Sequence, residues 1–164
     1  MPSLRRRKPP AAVTAVPLEP GERRLAWALT ATREAVVATD LGLRVPGMSR
    51  IDWPDVERVS WQRPQLTVHG IAPVAGAGSR RQVALDDEDG GLPEVVRSQV
   101  TASIGWSRHH QLQPVGGVRV VGRRRPGREL LDWQLVYDRD TDPADEGQRA
   151  QAEALLLDAR RTVG

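Results

Sequence analysis

Arg119, Arg123, Arg124, Arg125 and Arg128 fall within ten residues that hold no acid, and Arg108 and His109 lie a short way upstream. Guanidinium groups gathered on a protruding segment clamp phosphates or carboxylates through paired N–H donors, and binding of that kind weakens as salt rises. Anion capture is therefore the chemistry this stretch offers. The alternative is an internal use, in which the same charges pair with the acidic run Asp86, Asp87, Glu88 and Asp89 or with other nearby carboxylates.

Other residue types with chemical potential form weaker patterns. The three histidines are His69, His109 and His110; a metal needs convergent ligands, and adjacent residues of a strand point to opposite faces. Asp138, Asp140 and Asp142 open like a calcium loop, but the sixth position is Pro143 where glycine is needed and the twelfth is Arg149 where glutamate is needed. Gly105-Trp106-Ser107 starts like a nucleophile elbow, yet the second glycine of that motif is replaced by His109. Neither phosphate-binding glycine signature occurs, so no cofactor is expected. Trp27, Trp53, Trp61, Trp106 and Trp133 have faces on which bases stack, but the apolar phase of their segments assigns at least Trp27, Trp61 and Trp133 to the core.

The elements that must carry these residues are mostly short strands. Leu25, Trp27 and Leu29 alternate with smaller or polar residues. Val36 to Ala38 form a second run, and Leu41, Leu43 and Val45 a third that ends at Pro46-Gly47. Ile51 with Trp53, Val59 with Trp61, Leu66 with Val68, and Val83 with Leu85 complete a set of seven, which predicts an antiparallel meander or barrel. Residues 70–79 carry Pro73 and small Ala-Gly steps and read as a connection.

The period then changes. Leu92, Val95, Val96, Val100 and Ile104 recur at helical spacing and predict an amphipathic helix over 92–104, with Pro93 in its first turn and Gly105 ending it. A strand near Trp106–Leu112 precedes a hairpin that pairs Gly117–Gly122 with Leu130–Tyr137 around Pro126-Gly127, placing Leu131, Trp133, Leu135 and Tyr137 on one face. A last helix starts after Asp142, with Pro143 at its first position and Ala152, Leu155, Leu156, Ala159 and Val163 as its buried stripe.

The stretch from Gly21 to Val68 reads GERRLAW, then VVATDLGLRV, then RIDWPDVERVSW, then LTV. This order resembles bacterial pleckstrin-homology-like domains and a group of actinobacterial proteins with the same succession of segments. The resemblance covers about half the chain and implies a seven-stranded, partly open barrel plugged by a helix. Domains of that fold take lipid, peptide and protein ligands on different surfaces. The first hairpin loop is Ala31, Thr32, Arg33 and Glu34, nearly neutral, so the basic cluster of phosphoinositide-binding members is missing here.

Charge placement narrows the reading further. The chain has 164 residues, 24 basic and 21 acidic, and a pI near 10.4. Lys8 is the one lysine, so with a single tyrosine almost nothing titrates between neutrality and strong alkali and a small excess yields a high pI. Arg5, Arg6, Arg7 and Lys8 supply that excess ahead of the first acid, Glu19. Without cysteine there is no disulfide framework and no thiol chemistry. No apolar run resembles a secretory signal or a membrane span, so a cytoplasmic setting is expected. The reading is an α+β protein. It comprises a disordered basic, proline-rich tail (1–20), a pleckstrin-homology-like antiparallel β-barrel of about seven short strands with its capping helix (21–105), and a β-hairpin plus C-terminal helix packed on the same unit (106–164). The expected function is non-catalytic binding or scaffolding of a protein or peptide. The alternative is binding of an anionic ligand, nucleic acid or an anionic membrane surface through the Arg119–Arg128 hairpin, Arg108, His109 and the tail.

Overall fold

The computed structural model describes residues 8–71, 79–86 and 91–164. All seven strands of the first half form: β1 (Arg24–Leu29), β2 (Ala35–Thr39), β3 (Gly42–Arg44), β4 (Ile51–Asp52), β5 (Val56–Gln62), β6 (Gln65–Gly70) and β7 (Arg80–Ala84). They make two antiparallel sheets, β1 to β4 and β5 to β7, each in chain order.

The expected barrel does not close. A 3-10 turn, Trp53–Asp55, separates β4 from β5, and Pro54 within it has no N–H to donate to a ladder. Among the described residues the two sheets share one isolated bridge, Thr30 to Leu85. Between them lies the main core, with Ala26, Ala28, Val36, Ala38 and Leu43 from the first sheet meeting Leu66 and Val68 from the second. Helix α2 (Leu92–Ala102) fills the remaining side with Leu92, Val96 and Val100. It ends two residues before the expected 104, because Ile104 pairs with Arg123 and enters a strand.

Strand β1 reverses its expected phase. Ala26 and Ala28 face the main core, whereas Leu25 is 42% exposed and Trp27 and Leu29 face the opposite side. That side is covered by α1 (Ala11–Thr14), whose Val13 is fully buried against Leu29, Ala35 and Val37. Within the segment expected as a disordered tail (1–20), α1 forms and seats Val13 in the fold, while Lys8 is exposed and Arg5, Arg6 and Arg7 lie outside the described residues.

The second half builds a third antiparallel sheet from β8 (Ile104–Gln111), β9 (Gly117–Arg123) and β10 (Asp132–Tyr137), with β9 central. Helix α3 (Glu146–Val163) covers one face through Ala152 and Leu155 against Leu112, Val118, Leu135 and Tyr137. It begins later than expected: Asp142 accepts from the Ala144 amide in a turn, and Asp145 is the residue that caps the helix by accepting from the Gln148 amide. Val163, expected in the buried stripe, is exposed. Trp133 and Trp106 meet edge to face with centroids 5.5 Å apart.

Candidate functional site

The five hairpin arginines separate into different environments. Arg123 ends β9 and is 2% exposed. Its guanidinium donates to the Val100 carbonyl (3.2 Å), Ser103 Oγ (2.7 Å), the Glu57 carbonyl (3.3 Å) and Gln134 Oε1 (3.2 Å). Burial pulls its pKa below the ordinary arginine value, and Glu57 and Asp55 oppose that shift. These acceptors belong to α2, β5 and β10, so Arg123 ties the third sheet to the body and is removed from any ligand surface. Its expected role in anion capture is corrected by this burial.

Arg125 also points inward to carboxylates, donating to Asp55 Oδ1 and, at 2.6 Å, to Asp132 Oδ2, with Asp52 Oδ2 at 3.6 Å. These hydrogen bonds, Asp55 first, push its pKa up. Arg128 reaches Asp132 at 3.4 Å. The alternative expectation of neighbouring carboxylates therefore describes Arg125 and Arg128, although Asp87, Glu88 and Asp89 lie outside the described residues. Arg124 is exposed and runs over Gly105. Arg119 sits mid-strand, exposed, with Ser107 Oγ at 3.5 Å, and Arg108 lies exposed on β8. The cluster seen in the linear chain does not converge, because packing of the β9 end against α2 and β5 buries Arg123 and the local acids hold Arg125 and Arg128.

His109 is paired. Its Nε2 lies 2.8 Å from Asp138 Oδ2, and Asp138 is held by its amide bond to the Gly117 carbonyl. Ser107 is two residues away on the same strand, with its hydroxyl engaged by Arg119. His110 points to the other face, where burial and then Arg108 and His109 lower its pKa. Among the described residues no group of three or more metal-ligating side chains converges. No helix there is long and apolar enough to cross a membrane.

A site the linear reading misses lies on the outer face of β5–β6–β7. Val59 and Trp61 on β5, Leu66 and Val68 on β6 and Val83 on β7 face the core. The alternate positions then fall into three cross-strand rows. The first row is Arg58–His69–Arg80, the second Ser60–Thr67–Gln82 and the third Gln62–Gln65–Ala84. All but Ala84 line one open groove of about 500 Å³, together with Arg63 from the β5–β6 turn. Among the described residues no carboxylate lines it.

The register is secured by the ladder and by Gln82 Nε2, which donates to Thr67 Oγ1 at 3.2 Å. Burial first, then the charges of Arg58 and Arg80, lower the His69 pKa, while Glu57 opposes them. The charged form of His69 is thus disfavoured between two cations. No signal in the one-dimensional pattern could have found this row, since Arg58, His69 and Arg80 are each about eleven residues apart and meet only through strand register.

Two further cavities are less suited to a ligand group of one sign. One, of about 470 Å³, mixes Arg50 and Arg81 with Asp52 and Asp55. The other, of about 420 Å³, lies beneath the hairpin turn and mixes Arg124, Arg125 and Arg128 with Asp40 and Glu129. No protein-family model matches the chain, and no curated protein or solved structure matches it.

Proposed function

We propose that this chain is a non-catalytic interaction domain that docks a protein or peptide segment of acidic character on the outer face of β5–β6–β7. The observation that carries this reading is a polar, cationic groove, without a carboxylate among its described lining residues, on a sheet whose other face is buried in the core. A flat ladder of Ser, Thr and Gln offers donors and acceptors to an extended backbone, and a cationic row supplies electrostatic complementarity. Four strands, then three strands, then a helix in the space between them is an order that supports a pleckstrin-homology-like reading of residues 21–105. The Arg-rich hairpin is the weaker candidate, since Arg123 is buried and Arg125 and Arg128 are paired.

Photo-crosslinking in the native cell tests the reading. A photoreactive residue replacing Gln82, in the groove, should give a protein adduct that disappears when Arg58 and Arg80 are both changed to Glu. The same residue replacing Glu153, exposed on α3, should give none. Nucleic-acid adducts in place of protein, or equal yields from the two positions, would reject the docking face.

A further inference from the structure

We infer that the Arg58–His69–Arg80 row is a subsite for a phosphomonoester dianion carried on an extended segment of the docked partner; this rests on the docking face proposed above. The row spans three adjacent antiparallel strands, so the outer two backbones stand about 10 Å apart with His69 between them. Arg58 and Arg80 flank His69 directly in register, so the two side chains rise on either side of the imidazole from neighbouring strands. Among the described residues neither Arg58 nor Arg80 has a carboxylate partner, unlike Arg125 and Arg128. Both are exposed, and His69 is half-buried at the floor.

Three cationic or protonatable groups around one point match a group with three terminal oxygens and close to two negative charges better than a planar carboxylate with two oxygens and one charge. The neighbouring rows decide what bears the phosphate. Ser60–Thr67–Gln82 and Gln62–Gln65 are uncharged hydrogen-bonding groups, suited to peptide amides. A nucleic acid repeats its phosphate at every nucleotide and favours aromatic platforms, whereas beyond the first row the described lining adds one cation, Arg63, and no aromatic ring.

The test uses the full chain and three probes: inorganic phosphate, a neutral Gly-Ser heptapeptide with one central phosphoserine, and a short single-stranded oligonucleotide. The His69 ring resonances are followed against pH and probe concentration. A dianion seated over the ring opposes the field of the two arginines, so phosphate and phosphopeptide should move the His69 titration to higher pH. The phosphopeptide should bind at least tenfold more tightly than the same peptide with Glu in place of phosphoserine. Arg58→Gln and Arg80→Gln should each weaken it about tenfold, the loss of one charge-assisted pair. Both are surface changes that keep the amide spectrum, so a loss reads as binding. An unshifted His69 titration, or equal affinity for the Glu and phosphoserine peptides, overturns the subsite while leaving Gln82 crosslinking, and thus the docking face, to stand or fall separately. Tighter binding of the oligonucleotide than of the phosphopeptide overturns it in favour of a nucleic-acid partner.

Discussion

Arginine serves two opposite purposes in the third sheet and in the second. Along β9 and its turn, Arg123 spends four of its five N–H donors on the Val100, Ser103, Glu57 and Gln134 oxygens, and Arg125 and Arg128 pair with Asp52, Asp55 and Asp132. On the outer face of β5–β6–β7, Arg58 and Arg80 flank a histidine in a groove that no carboxylate lines among the described residues. In the chain the first group is conspicuous and the second is scattered; in the fold the first holds the molecule together and the second is presented outward. Density of like charge along a sequence is thus a poor guide to free charge in a fold, since local acids and burial against neighbouring elements redistribute it.

Substitutions can sharpen this contrast. Arg123→Ala should have the largest effect, destabilising the fold by roughly 3–5 kcal/mol, because it strips several buried acceptors of their donor at once. Chemical denaturation would register it, whereas Arg58→Gln and Arg80→Gln should stay within about 0.5 kcal/mol of wild type.

Next comes Glu22, whose side chain is fully buried among Arg44, Thr39 and the Glu19 amide. Burial alone would raise its pKa, but these hydrogen bonds and the Arg44 charge outweigh it and bring it from 4.5 to about 2. A carboxyl depressed on folding contributes stability that is complete above its unfolded value and is lost as pH falls through the folded one. The wild type should therefore lose on the order of 2–3 kcal/mol between roughly pH 5 and 2, and Glu22→Gln should flatten that part of the profile while lowering stability at neutral pH.

Smaller changes follow at exposed positions. Asp145→Ala should cost about 1 kcal/mol through the lost α3 cap, more than Asp142→Ala, which removes only a turn bond. Arg128→Gln should be nearly silent, as its single long contact to Asp132 is solvent-exposed. A loss near that of Arg123→Ala would erase the distinction drawn between the two ends of the turn.

Much of the architecture could be read from pattern. Short apolar runs, most of them alternating, located all seven early strands, and helical spacing located α2 and α3. The phase of β1 could not, because the strand is covered on both faces: small Ala26 and Ala28 sit under the core while larger Trp27 and Leu29 meet Val13, and a rule that sends large apolar residues to one side chooses the wrong one. The start of α3 was ambiguous because Asp142 and Asp145 both make capping-type bonds to an amide. Arg123 was misread for a different reason, since acceptors such as the Glu57 carbonyl lie 66 positions away in the chain. His69 gained its meaning only from the pairing of three strands.

The most direct measurement compares the affinity of the phosphoserine peptide for wild type, for Arg58→Gln/Arg80→Gln and for Arg124→Gln/Arg128→Gln at one salt concentration. The account predicts a loss of at least tenfold in the first double variant and affinity within twofold of wild type in the second. A loss confined to Arg124→Gln/Arg128→Gln would contradict it and return the anion site to the hairpin.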